Sequence, residues 1–188
     1  METIGDDRRG STPPTIYITG VPGVGKTTLA QSLSRLLGMP IHNPGEVAKA
    51  RGWGHWAGEE FVVDLARVCD YIQKARGIVE SHLICECRVP WALVIRAPPL
   101  MLWRRLTARG YGPWKLDENI SAEMIDYCGE RLRENSARVF YLDGRLPPEK
   151  LTSQALRAIR ERRSFKTWAD EPTQYLEEYF RLKHQTKP

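Results

Sequence analysis

The sequence predicts an α/β protein, a parallel sheet held between two helical layers, and three observations predict it. Residues Gly20-Val21-Pro22-Gly23-Val24-Gly25-Lys26-Thr27 fit the pattern G-x-x-x-x-G-K-[ST], between a strand-like run, Thr15 to Thr19, and a helix-like one. Strand runs then alternate with helical stripes along the chain, the order that right-handed crossovers turn into a parallel sheet. The run Trp91-Ala92-Leu93-Val94-Ile95-Arg96 is nearly continuous in apolar residues, as a strand covered on both faces requires. A chain of 188 residues with 41% apolar content fills one core and is short for two.

Residues 1–14, with Asp6, Asp7, Arg8, Arg9 and Pro13-Pro14, read as a mobile lead-in, and the catalytic domain is expected over 15–163. Leu29, Leu33, Leu36 and Leu37 form a helical stripe closed by Gly38, and a short extended piece follows near Ile41. Residues 43–60, rich in Gly, Trp, His and basic groups with weak periodicity, read as an inserted, movable region before a helix over 64–75. A short strand over Gly77 to His82 ends in polar groups, and with the strand at Trp91 should lie near the sheet centre. Pro98-Pro99 can start a helix that stops at Arg109-Gly110-Tyr111-Gly112-Pro113, a loop. One helix is then expected from about Asp117 to Asn135, a strand over 138–142, and a helix from Pro147-Pro148 to about Arg163. In the tail, 164–188, Asp170-Glu171-Pro172 can start a helix whose face Leu176, Tyr179 and Phe180 either docks on its own domain or meets a partner.

The glycine-rich loop carries the chemistry. Gly23 and Gly25 allow the chain to bend and turn backbone N–H groups onto phosphate oxygens. Lys26 then meets the β- and γ-phosphates, Thr27 offers a hydroxyl to Mg²⁺, Thr28 reaches the α-phosphate, and the helix start adds its dipole. A Ras-type GTPase needs an N/T-K-x-D segment, which is absent, and Asp126-Tyr127-Cys128-Gly129 fits D-x-x-G only within an expected helix. A transporter ATPase needs an LSGGQ-like segment, also absent. A small phosphotransferase remains, and because the loop reads phosphate and not the acceptor, a kinase of another small metabolite stays open.

The net charge of +5 and pI near 9.1 suit polyanionic partners. The run Arg157, Arg160, Arg162, Arg163 and Lys166 suits RNA or a solvated helix face. Arg51 and Arg67 suit an acceptor phosphate on charge alone, or ordinary surface. The N-terminus carries acids and arginines in place of an apolar signal segment, and no apolar run reaches membrane-spanning length, so a cytoplasmic location is expected. The four cysteines fit that setting. Leu65, Val68, Cys69 and Ile72, and likewise Ile120, Met124, Tyr127 and Cys128, keep helical spacing, which assigns Cys69 and Cys128 to the core. Cys85-Glu86-Cys87 is the only close pair and lacks two further ligands for zinc.

Three segments occur in a set order: Ile18-Thr19-Gly20 with the loop through Thr28; Ile78-Val79-Glu80-Ser81-His82; and Arg109-Gly110-Tyr111 with Lys115 and Glu118-Asn119-Ile120-Ser121-Ala122-Glu123. Together they resemble the adenylate kinase isoenzyme 6 family, also called the Fap seven or coilin-interacting nuclear ATPase family, in its archaeal form, over roughly residues 15–162. The resemblance implies a P-loop nucleoside triphosphate hydrolase fold with a monophosphate-binding insertion over about 43–66 and a short lid over about 109–118. It implies ATP and Mg²⁺, transfer of a phosphoryl group from ATP to AMP, and ATP hydrolysis. It also implies late maturation of the small ribosomal subunit and its 16S rRNA, through transient binding of a platform ribosomal protein. By match, Lys26, Glu80, His82 and Arg109 would be catalytic, Gly23, Gly25, Lys26, Thr27, Thr28 and Arg109 would bind nucleotide, and Thr27 would hold the metal with Glu80 behind a water. Glu80 stands where the family usually has Asp, one methylene longer. His82, two residues after that acid at a strand end, is placed to orient or deprotonate a water.

Overall fold

The computed structural model of the protein describes residues 15–185, so the lead-in expected over 1–14 lies outside the described residues. Five strands form one parallel sheet: β1 (Ile16–Thr19), β2 (Ile41–His42), β5 (Ile78–Glu80), β6 (Trp91–Arg96) and β7 (Arg138–Asp143), in the order β2-β5-β1-β6-β7. Successive strand residues face opposite sides, and the two cores follow that period. Ile16, Ile18, Leu93 and Ile95 pack under α1 (Lys26–Leu37), α4 (Pro99–Thr107) and α7 (Pro148–Glu161). Tyr17, Val79, Ala92 and Val94 face α3 (Leu65–Lys74), the 3₁₀ turn His82–Glu86 and α6 (Tyr127–Glu134) on the other side. The result is a three-layer α/β sandwich. β1 lies between β5 and β6, with Ile18 opposite both Glu80 and Leu93, so the C-terminal ends of the central strands converge where the loop after β1 begins.

Three elements depart from the sequence reading. Residues 43–60 are not irregular: α2 (Pro44–Ala50) starts on Asn43, whose side chain accepts from the Glu46 amide at 3.1 Å, and β3 (Gly54–Ala57) pairs with β4 (Glu60–Val63) in an antiparallel hairpin. Helix α2 is too short for a hydrophobic stripe to register, and the hairpin turns on Gly58 at φ 63°, with Trp56 and Phe61 paired across it. The single helix expected over 117–135 is two, α5 (Pro113–Met124) and α6, broken where Asp126 adopts φ 54°. Asp126 holds Arg96 at 3.0 Å and accepts from the Tyr141 hydroxyl, and Gly129 makes room, since a Cβ there would collide with both Tyr141 and Asp126. Third, Cys69 packs against the second core and Cys128 is buried in it as a thiol, as their spacing predicts, but Cys69 is disulfide-bonded to Cys87, with 5.2 Å between Cα atoms. The support that four reduced cysteines lent to a cytoplasmic setting is therefore lost.

The tail packs on the domain. Thr167 and Asp170 form a capping box, and Trp168, 2% exposed, donates its indole N–H to Glu123 of α5 at 2.8 Å. Glu123 also receives Arg96 at 2.6 Å, and burial pushes its carboxyl up to about 7. Helix α8 (Pro172–Gln185) buries Tyr179 in the first core and lies against α4.

Candidate active site

The loop between β1 and α1 is shaped by glycines at φ angles closed to other residues, Gly23 at 90° and Gly25 at 112°. At Gly23 a Cβ would also crowd Leu106 and Leu102 of α4 at 3.2 and 3.3 Å. Gly25 caps α1 without a side chain, and the first turn carries no acid, so its amide donors stay open toward an anion. The Lys26 ammonium bonds the Gly20 and Val21 carbonyls, each at 2.9 Å. Burial holds its pKa below the usual lysine range, against the pull of Cys128 and Glu80. A cradle of amides with a tethered cation, and hydroxyls on exposed Thr27 and Thr28, suits polyphosphate.

Beside it, the Thr27 hydroxyl donates to Glu80 Oε1 at 3.3 Å, and Asn43 Nδ2 donates to the same oxygen at 2.9 Å. Glu80 is 4% exposed, and burial raises its carboxyl pKa although Lys26, Asn43 and Thr27 oppose the shift. A hydroxyl backed by a carboxylate is a donor set for a hard divalent ion that keeps water and phosphate ligands. Among the described residues no cluster of three His, Cys, Asp or Glu forms an all-protein cage. The Cys87 sulfur is committed to Cys69, which removes the Cys85 and Cys87 pair as ligands.

His82 opens the 3₁₀ turn just past β5, capped by Ser81, whose hydroxyl accepts from the Leu83 amide at 3.1 Å. Its imidazole is reached by solvent through the open cleft. The enclosing walls first, and then the Lys26 and Lys115 ammoniums, lower its pKa to about 4, so it is neutral at neutral pH.

Lys26, Thr27, Thr28, Glu80, His82 and Arg109, with Gly23 and Gly25, all line one cleft of about 800 Å³. Its second wall is α2 and the hairpin, through Asn43, Lys49 and Phe61, and its third is Arg109, Tyr111 and Lys115. Exposed Arg109 makes no ion pair among the described residues, whereas Lys115 bridges to Glu60 of the hairpin and to Glu118 at 3.7 Å. Arg105 donates to the Gly23 carbonyl at 3.0 Å. Arg51 and Arg67 stay outside the cleft: Arg51 stacks over Trp53 at 4.9 Å, and Arg67 pairs with Asp64 at 3.2 Å. Lys49 lines the cleft without any signal in the sequence, whereas Lys115 belongs to the third segment of the resemblance without a role of its own there. Asn43 did have a signal, an Asn before Pro at a helix start.

Residues 16–126 match the AAA domain family. A "Putative adenylate kinase" of Thermococcus onnurineus is 36% identical over 140 residues, covering 71% of this chain and 78% of the relative. An "Adenylate kinase isoenzyme 6 homolog" of Schizosaccharomyces pombe is 34% identical over 133 residues, covering 65% and 75%. Among solved structures, shikimate kinase from Acinetobacter baumannii in complex with shikimate superposes with a TM-score of 0.56 at 18% identity, covering 79% of this chain and 94% of that one. That likeness is one of fold.

Proposed function

The chain belongs to the adenylate kinase isoenzyme 6 family, and from that premise we propose that it is a nucleoside monophosphate kinase that transfers the γ-phosphoryl group of ATP to AMP and also hydrolyses ATP. One observation supports the reading: the phosphate loop and Arg109, which makes no ion pair among the described residues, line the same cleft of about 800 Å³, whose remaining wall is α2 and the hairpin. Lys26 exchanges its two carbonyl partners for the β- and γ-phosphates. The α1 amides and Thr28 hold the other phosphate oxygens. Arg109 swings its planar fork onto the migrating group, where the charge of a loose transition state spreads over equatorial oxygens, a role worth roughly 10³ to 10⁵ in rate. A Mg²⁺ held by Thr27, with Glu80 behind a water, would neutralise phosphate charge when bound. Asn43 fixes the Glu80 carboxylate for that task. The neutral imidazole of His82 orients or deprotonates a water when no acceptor fills the cleft, giving hydrolysis.

The basic run bears on the part of the resemblance that concerns ribosome maturation. Arg157, Arg160 and Arg163 all share one carboxylate, Glu161, and Arg157 and Arg163 lie over the Phe165 ring, so one charge is neutralised there and the run stays net positive. A platform ribosomal protein, with 16S rRNA nearby, is the partner we would test by salt-titrated binding. The deciding experiment for the kinase is a panel of monophosphates and small metabolites offered with ATP and Mg²⁺. Formation of ADP from AMP above the rate of ATP hydrolysis supports the reading. A metabolite phosphorylated faster than every monophosphate would replace it with a metabolite kinase.

A further inference from the structure

Two free thiols on the floor of the cleft take no part in the proposed transfer. Cys85 stands in the 3₁₀ turn that begins with His82 and Cys128 in the first turn of α6; both are buried, and both line the cleft. Turn and helix are clamped together. The Glu86 carboxylate accepts from the Tyr127 hydroxyl at 2.7 Å and from Arg131 at 2.9 Å, and Asn135 Nδ2 donates to the Cys85 carbonyl at 3.2 Å. Between these clamps the two sulfurs are in hydrogen-bond contact, so the Cys85 thiol has the Cys128 sulfur and, at 2.9 Å, the His82 carbonyl as acceptors. The hydrogen bond from Cys85, and then the Lys26 ammonium, hold the Cys128 thiol below its ordinary pKa against the cost of burial. The Thr19 hydroxyl, buried at the end of β1 and without another partner, adds to that effect. The same hydrogen bond, with burial, pushes Cys85 up. An inert core thiol has apolar surroundings that raise its pKa, whereas Cys128 faces a cation and a donor, the setting of a reactive thiolate.

We propose that Cys85 and Cys128 form a redox modification site on the cleft floor, which a low-molecular-weight disulfide converts into a second intramolecular disulfide. The Cys128 thiolate attacks one sulfur of the reagent RSSR, forms Cys128–S–S–R and expels RS⁻, which takes up the proton that Cys128 gave up. Cys85 then attacks the Cys128 sulfur, breaks that mixed bond and expels a second RS⁻, which takes up the Cys85 proton. Two protein thiols are thereby oxidised to one disulfide, and RSSR is reduced to two RSH. Closure removes the proton that Cys85 offers to the His82 carbonyl and ties the turn covalently to α6, so it shifts the turn that carries His82. The thiol chemistry is independent of the kinase reading, and its effect on hydrolysis rests on that reading.

The test treats the folded full chain with bis(2-hydroxyethyl) disulfide, alkylates it after unfolding and maps the linkages by mass spectrometry. The untreated chain should show two alkylatable thiols, Cys85 and Cys128, and the treated chain none, with a new Cys85–Cys128 link beside the retained Cys69–Cys87 bond. Cys85→Ser should stop the reaction at the mixed disulfide on Cys128, and Cys128→Ala should leave Cys85 unmodified over the time in which the parent closes. Free thiols that persist in the treated parent, adducts without the link, or a link from either residue to Cys69 or Cys87 overturn the inference, as does a Cys128→Ala chain that reacts as fast as the parent. In the closed form ATP hydrolysis should fall by about tenfold or more, out of the roughly 10² to 10⁴ that a placed base contributes. It should recover on reduction in a Cys69→Ala, Cys87→Ala double variant, whose only thiols are this pair. A linked chain that hydrolyses ATP at the parent rate overturns the coupling to His82. A parent without any ATP hydrolysis refutes the enzymatic reading instead, and the linkage map still decides the thiol pair.

Discussion

Opening the bond between Cys69 and Cys87 should lower stability by about 3 kcal/mol, because the crosslink joins residues 18 apart and the entropy of closing a loop of that length has about that value. For a domain of this size, where each kcal/mol moves the melting temperature by about 2 to 4 °C, the shift is roughly 6 to 12 °C. The bond also has a functional position. Cys69 sits on α3, and Cys87 directly follows the 3₁₀ turn that begins with His82, so the link fastens the turn at the cleft floor to the helix beside the hairpin. The assay is a thermal melt with and without reductant, beside Cys69→Ala and Cys87→Ala single variants. The reduced parent should melt with the variants, and the variants should ignore reductant. Phosphoryl transfer should keep its kcat below the melting transition, because none of the cleft-lining charges depends on the bond. Four alkylatable thiols in the unreduced protein, or a melt that moves by less than about 2 °C on reduction, would refute the reasoning.

Three further outcomes follow from the cleft. Lys26→Met removes a cation whose attraction for a phosphate charge at about 4 Å is of order 4 kcal/mol at an effective dielectric of 20, so ATP should bind at least about 100-fold more weakly by calorimetry, and affinity within threefold of the parent would contradict the role given to Lys26. Because its surroundings lower the His82 pKa from 6.5 to about 4, protonation is confined to pH below about 4, and hydrolysis should show no acidic limb near 6.5. His82→Ala should slow hydrolysis more than transfer to AMP, whereas equal losses on one preparation, or a limb near 6.5 that vanishes in the variant, would make that account wrong. Lys115→Ala breaks an exposed bridge to Glu60, which contributes at most about 1 kcal/mol, so the melting temperature should barely move. The acceptor KM should rise severalfold as the hairpin is released, and an unchanged KM would mean that the bridge does not shape the acceptor wall.

How much of this was legible divides along a physical line. The phosphate end of the cleft could be read because one contiguous segment builds it: amides that turn inward need Gly at set positions, and Lys26 and Thr27 must follow at once, so geometry writes itself into spacing. Strands β1 and β6 were legible for a similar reason, since a strand covered on both faces must be apolar throughout. The rest of the cleft is assembled from α2 and the neighbouring hairpin with the start of α5, some 50 residues further along, and none of these needs a special residue type to line a cavity. Lys115 and Glu60 meet only after folding, and so do Cys69 and Cys87, or Arg96 with Glu123 and Trp168. The break at Asp126 shows the same limit from the other side. Its neighbours have sound helical spacing, yet partners on β6 and β7, Arg96 and Tyr141, draw the aspartate into a left-handed conformation that local propensity disfavours. On the proposed reading the choice of acceptor rests on contacts between distant segments, and substitutions at Lys49 and Lys115 should alter acceptor choice while leaving the hold of the glycine loop on the phosphates of ATP intact.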